Sequence, residues 1–167
     1  MMNSGMIIAV IGGEEAPPDV QRLAEEVGRE LARRGCTVVC GGGDGVMEAV
    51  CRGARAEDGH TIGIMPGHNA QESRPNDYVE FPIYTGMGYA RNSSVVLSGQ
   101  AAIAIDGAYG TLTEIAYALI HGVPIVGLDT WHFSYPGHDA ERLIRAESPQ
   151  DAVEKAIMAA QKRPNKQ

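Results

Sequence analysis

Lysine is almost absent from this sequence. The only three lysines are Lys155, Lys162 and Lys166, so residues 1–154 contain none. A Walker A loop needs a lysine directly after its glycines, and a pyridoxal-phosphate enzyme needs a lysine for its Schiff base. The sequence therefore argues against both kinds of site, and arginines must supply any cation in a binding pocket.

Other absences narrow the class of protein further. The three cysteines form no C-x-x-C pair, which favours reduced thiols in a cytoplasmic protein. No apolar run approaches the roughly 20 residues of a membrane span. The net charge of −7 disfavours a nucleic-acid partner. The five histidines show no metal-ligand spacing, so we expect no metal site.

Glycine is abundant, with 21 residues, and this favours an α/β fold with many tight turns. Apolar runs of strand length alternate with segments of helical periodicity. The predicted strands cover residues 6–11, 37–40, 61–65, 79–84, 101–105 and 124–128. The predicted helices cover residues 18–34, 46–56, 89–97, 112–121 and 149–161.

This alternation predicts a three-layer α/β/α, Rossmann-like fold, with a mainly parallel sheet and helices on both faces. We expect one domain over residues 1–167, with a frayed tail at 163–167 and a loop from Trp131 to Ala140 that covers either the pocket or the sheet edge. The expected central strand order is 3-2-1-4-5 with an additional edge strand. Pro82 favours an edge or irregular position for the fourth strand.

Three glycine-rich turns follow predicted strands at the edge where such sheets bind ligands. Glycines between a strand and a helix leave backbone N–H groups open to a phosphate, although they can also serve only tight turns or close packing. None of the turns matches G-x-G-x-x-G, which disfavours a dinucleotide site. The candidate binding residues are Gly12, Gly13, Gly41, Gly42, Gly43, Gly45, Gly107, Tyr109, Gly110 and Thr111.

Two charged residues complete the candidate site. Glu114 lies one turn into the helix after the third glycine-rich turn, and Arg91 can reach the same pocket. Together they would supply an acid/base and a fixed cation beside a phosphate-bearing ligand. Thr111-x-x-Glu114 also fits a capping box, in which the glutamate only bonds back to the helix end. The spacing alone leaves both interpretations open.

Three motifs give the chain a family resemblance: residues 41–48, residues 86–92 and residues 109–115. With them the chain resembles the Rossmann-like superfamily of the Lonely Guy (LOG) phosphoribohydrolases, the molybdenum cofactor carrier proteins and the nucleotide-binding part of DNA-processing protein A. The resemblance covers about residues 6–130 and is strongest to the carrier branch. Some relatives carry the name lysine decarboxylase, and the lysine-free body of this chain argues against that chemistry.

LOG enzymes carry the motif P-G-G-x-G-T-x-x-E and hydrolyse the N-glycosidic bond of nucleoside 5′-monophosphates. The matching positions here are Gly107, Gly110, Thr111 and Glu114, and the enzymes' catalytic arginine falls on Arg91. The sequence departs from that pattern in three places. Asp106 replaces the proline, Ala108 replaces the second glycine, and Asn92 replaces the basic residue that usually follows the arginine.

The resemblance implies two functions that the sequence does not separate. The first is a cytosolic binding or carrier protein for a phosphorylated small molecule, either a nucleotide or a pterin such as molybdenum cofactor carried as cargo. The alternative is a LOG-like phosphoribohydrolase that needs no cofactor and uses Arg91 and Glu114. Whether the protein is an enzyme therefore stays open. The resemblance also implies a homo-oligomer, at least a dimer.

Overall fold

The computed structural model describes residues 5–138 and 142–163. The described residues form seven strands and five α-helices. The strands are β1 (Ile7–Gly12), β2 (Thr37–Cys40), β3 (Thr61–Met65), β4 (Phe81–Tyr84), β5 (Ala101–Ile105), β6 (Ile125–Leu128) and β7 (Leu143–Ala146). The helices are α1 (Pro18–Arg33), α2 (Val46–Ala56), α3 (Arg91–Ser98), α4 (Tyr109–His121) and α5 (Pro149–Lys162).

All seven strands pair in parallel in one sheet of order β4-β3-β2-β1-β5-β6-β7. The α/β class and the parallel sheet are confirmed, but the predicted central order 3-2-1-4-5 is wrong in detail. The fourth strand does not pair with β1; it extends the sheet beyond β3, and β5 takes the place beside β1. The fourth strand, which contains Pro82, lies at the sheet edge as expected.

The sheet is covered on both faces, which confirms the three layers. In β1, Ile8 and Val10 belong to the core beneath α1, α2 and α5. The alternate residues Ala9 and Ile11 belong to the core beneath α3 and α4. Successive side chains of a strand point to opposite faces, so a strand buried on both faces is a continuous apolar run.

Several elements differ from the sequence prediction. α4 begins at Tyr109, three residues earlier than predicted, because Gly110 and Thr111 already have helical conformation. β7 was not predicted, since it has only four residues and Arg145 interrupts its apolar run. The expected frayed tail, 163–167, lies outside the described residues except for Arg163, and so do residues 139 and 140 at the end of the expected loop. Within the described ranges, no helix is long and apolar enough to cross a bilayer.

Candidate functional site

A cavity of about 440 Å³ opens where the C-terminal ends of β1, β2 and β5 meet. This is the place where the strand order reverses, with β2 on one side of β1 and β5 on the other. Its lining includes eight of the twelve residues that the sequence predicted for the site. They are Gly12, Gly13, Gly41, Arg91, Gly107, Gly110, Thr111 and Glu114.

The other four predicted residues lie outside this lining, and packing explains three of them. Gly42 and Gly45 have φ angles of +75° and +63°, which favour glycine. A β-carbon on Gly42 would collide with Met65, and one on Gly45 would collide with backbone carbonyl groups of the first glycine-rich turn. A β-carbon on Gly43 would lie 3.0 Å from Met47. Tyr109 is 78% exposed and its ring lies 6.0 Å from that of Trp131.

Arg91 is the first residue of α3, and its guanidinium group lies over the turn after β2. Its Nη2 donates a hydrogen bond of 3.3 Å to the carbonyl oxygen of Gly41. A β-carbon on Gly41 would lie only 2.8 Å from that nitrogen, so glycine is required for the arginine to approach. Nη1 donates to Oδ1 of Asn92. Nε is buried and has no hydrogen-bond partner among the described residues.

Glu114 projects into the cavity from the second turn of α4 and is only 6% exposed. Burial raises the pKa of its carboxyl group to about 8, although the nearby charge of Arg91 lowers it. The capping-box interpretation is wrong, because the residue before α4 is Ala108 and Thr111 already lies within the helix. Among the described residues, no side chain caps the start of α4, and Gly110 and Thr111 of its first turn line the cavity. The first N–H groups of a helix have no partner within the helix, so those of this turn are available to a ligand.

The turn between β5 and α4 has a specific conformation that its sequence and its neighbours maintain. Gly107 has a φ of +106°, and a β-carbon there would collide with the side chain of Thr111. Asp106 also has a positive φ, +49°, which aspartate tolerates better than most residues. The hydroxyl of Thr130 donates a hydrogen bond to the carbonyl oxygen of Asp106. The altered LOG-like loop is therefore held by the segment that follows β6.

The cavity carries charge of both signs. Arg91 is the only basic side chain in its described lining, whereas Glu14, Glu15, Asp106 and Glu114 are acidic. The raised pKa leaves Glu114 mostly protonated at neutral pH, so it adds little negative charge there. Within residues 5–138 and 142–163, no group of three or more histidine, cysteine or acidic side chains is arranged to hold a metal ion.

Three residues that shape this site were not among those predicted from the sequence. Asn92 is buried and touches the cavity, and its only signal was its place directly after Arg91. Met47 lines the cavity floor beside Gly41, but a buried methionine in a helix looks like ordinary core. Trp131 contacts the start of α4 through a hydrogen bond to Ala108, and no local pattern indicates a contact across 23 residues.

The sequence model of the SLOG cluster4 family matches residues 5–153. The chain belongs to this family. A protein of Archaeoglobus fulgidus is 36% identical over 94% of this chain and 98% of its own length. A cytokinin riboside 5′-monophosphate phosphoribohydrolase of Mycobacterium tuberculosis is 34% identical over 69% of this chain and 66% of its own length.

Two solved structures extend the similarity to the carrier branch. The molybdenum cofactor binding protein of Rippkaea orientalis has a TM-score of 0.80 and 34% identity, and the match covers 95% of this chain and 99% of that one. The molybdenum cofactor carrier protein of Chlamydomonas reinhardtii has a TM-score of 0.82 and 30% identity, covering 94% and 99%. These findings confirm the predicted superfamily.

Proposed function

We propose that this chain is a cytosolic binding or carrier protein for a phosphorylated small molecule. One observation carries the proposal: the guanidinium group of Arg91 and the uncapped first turn of α4 open into the same cavity. A helix N-terminus and a fixed arginine both favour a bound phosphate.

The cargo we propose is a pterin of the molybdenum cofactor type or a nucleotide. The similarity to the two structures named for molybdenum cofactor binding supports the pterin. The similarity to a phosphoribohydrolase of a nucleoside monophosphate supports the nucleotide. Three free, buried cysteines are consistent with a cytosolic protein. We also propose a homo-oligomer, and light scattering that returned the mass of one chain would contradict it.

The binding proposal is tested by thermal shift with molybdenum cofactor, nucleoside 5′-monophosphates and inorganic phosphate. We expect a rise in Tm that saturates with ligand concentration. Arg91→Ala should reduce the apparent affinity about tenfold or more, because a charge-assisted hydrogen bond is lost. The matched control is Arg22→Ala, which removes an exposed arginine of α1. If the Tm of the wild-type protein responded to none of these compounds, the binding proposal would be contradicted.

A second function, hydrolysis of a nucleoside 5′-monophosphate, is favoured by one specific observation. Glu114 is a buried carboxyl group with a pKa of about 8, in the same cavity as Arg91. At neutral pH it could donate its proton to the departing base while water adds to C1′ of the ribose, and it would regain a proton from that water. Such perturbed acids cluster at catalytic sites.

Base release from a panel of nucleoside 5′-monophosphates, followed by chromatography, distinguishes the two functions. A hydrolase should release free base, and Glu114→Gln should abolish release while retaining phosphate-dependent binding. Because Glu114 does not cap α4, we expect that variant to fold. If folded wild-type protein released no free base, the hydrolase function would be excluded and the binding function would stand.

A further inference from the structure

A chain of three hydrogen bonds links the cation of the cavity to the first turn of α4. Asn92 is buried, with 5% exposure, and its Oδ1 accepts a hydrogen bond from Nη1 of Arg91. Its Nδ2 donates a bond of 3.3 Å to Oγ1 of Thr113. That hydroxyl in turn donates a bond of 2.6 Å to the carbonyl oxygen of Gly110. α3 and α4 are therefore joined by polar contacts at the wall of the cavity.

The direction of these bonds follows from the chemistry of the groups. A guanidinium group only donates, so the amide oxygen of Asn92 must face Arg91. The carbonyl of Gly110 only accepts, so the hydroxyl proton of Thr113 points to it. The lone pairs of that hydroxyl then receive the amide N–H of Asn92. The two bonds that Asn92 makes can therefore form together in only one orientation of its amide group.

We propose that Asn92 is a positioning residue, which fixes the guanidinium group of Arg91 relative to the first turn of α4 so that both act on one phosphate. Fixing a flexible arginine side chain costs rotamer entropy, and ordering it before binding removes that cost from the binding step. The other hydrogen bond of this guanidinium group to the described residues is the 3.3 Å bond to Gly41. This inference rests on the proposed phosphate-binding function.

The experiment uses inorganic phosphate as the probe, at constant ionic strength, and reads an apparent Kd from the rise in Tm. We expect Asn92→Ala to raise this Kd about tenfold. The matched control is Ser98→Ala, which removes a side-chain bond of 2.7 Å to the backbone of the same helix, α3, at a residue outside the cavity lining. A phosphate Kd for Asn92→Ala equal to that of the control would overturn the inference.

A second pair of variants avoids the buried position, where truncation can unfold the protein. Thr113 is exposed, so Thr113→Val replaces its hydroxyl with a methyl group at little packing cost, whereas Thr113→Ser keeps the hydroxyl. We expect the valine variant to raise the Kd for phosphate several-fold and the serine variant to restore most of the affinity. Equal affinity of the two variants would contradict the role of Asn92, because its donor would then need no acceptor at this residue.

A direct readout separates positioning from a general loss of stability. In ¹⁵N-labelled protein, the heteronuclear NOE of the Arg91 Nε–H reports how well that side chain is ordered. Asn92→Ala should lower this NOE while the backbone values of α3 stay unchanged. An unchanged side-chain NOE would overturn the inference about Asn92 but not the phosphate-binding proposal. Wild-type protein that shows no phosphate-dependent change in Tm would instead overturn the phosphate-binding proposal together with the inference.

Discussion

The indole Nε1 of Trp131 donates a hydrogen bond of 3.2 Å to the carbonyl oxygen of Ala108, the residue just before α4. The backbone carbonyl of Trp131 is itself held by Nη2 of Arg145 at 2.7 Å. The first residue of the predicted 131–140 loop therefore supports the turn between β5 and α4. This gives part of that loop a structural role at the wall of the cavity.

Trp131→Phe tests this support, because it keeps an aromatic ring beside Tyr109 and removes the indole donor. We expect the free energy of unfolding to fall by about 1 kcal/mol, the usual effect of one lost hydrogen bond. Chemical denaturation measures the change. Tyr135→Phe is the control, since it removes a polar group from an exposed residue of the same segment. Equal unfolding free energies for the two variants would show that the indole bond adds no stability.

Gly110 offers a variant that separates folding from binding. A β-carbon there would have only one neighbour within 4 Å among the described residues, Nδ2 of Asn92 at 3.8 Å. Gly110→Ala should therefore leave Tm equal or slightly higher, because alanine favours a helix over glycine by about 1 kcal/mol. The new methyl group would protrude into the cavity, where we expect it to weaken phosphate binding at least several-fold.

Gly107→Ala is the natural counterpart of this variant. Its positive φ and the adjacent side chain of Thr111 leave no room for a β-carbon, so we expect a clear loss of stability. The two alanine variants should therefore differ in Tm although both change a glycine of the same turn. If Gly110→Ala bound phosphate as tightly as wild type, the first turn of α4 would not be the phosphate site.

Asp106 lines the cavity. Its carboxylate would repel an anionic ligand bound there. Asp106→Asn should raise the affinity for phosphate about two- to fivefold at low salt, and the gain should shrink as salt screens the charge. Asparagine tolerates a positive φ as aspartate does, so the fold should be unaffected. Asp129→Asn is a matched control, because Asp129 has a similar φ of +50° but lies outside the cavity lining. A gain of affinity in both variants would point to net charge rather than to the site.

The fold was predictable where local patterns are strong. The buried strand β1 was correct within one residue at either end, and α1 ends at Arg33, one residue before its predicted end. Gly35, which has a φ of +73°, follows the C-cap of this helix. Strand order was less accessible, because the pairing of the fourth strand with β3 rather than β1 depends on packing across the sheet. β7 was missed because four residues, one of them an arginine, carry too little periodicity to indicate a strand.

The site was predictable where glycines and charged residues follow the ends of the predicted strands. Arg91 and Glu114 do line one cavity, and five of the predicted glycines line it with them. The remaining glycines of the second turn could not be separated in advance, because a glycine needed for positive φ looks the same in sequence as one that opens a ligand site. Gly42 shows this, since its φ of +75° and its contact with Met65 explain it without a ligand.

The buried carboxyl group of Glu114 predicts how stability depends on pH. The pKa of this group is about 8 in the folded protein and near the ordinary glutamate value of 4.5 when the chain is unfolded. Between these pH values the folded state holds a proton that the unfolded state has released, so the free energy of unfolding must fall as pH rises. The contribution is fully present below about pH 4.5 and is lost progressively up to about pH 8.

Glu114→Gln removes this titration and keeps the shape of the side chain. We expect the variant to gain stability relative to wild type as pH rises from 5 to 8, by an amount on the order of 3 kcal/mol at the upper end. Denaturant unfolding at several pH values measures the difference. Glu154→Gln, on the exposed face of α5, controls for the loss of one negative charge. If the stability of wild type and Glu114→Gln changed in parallel with pH, Glu114 would be ionised in the folded protein, and its role as a proton donor at neutral pH would be lost with it.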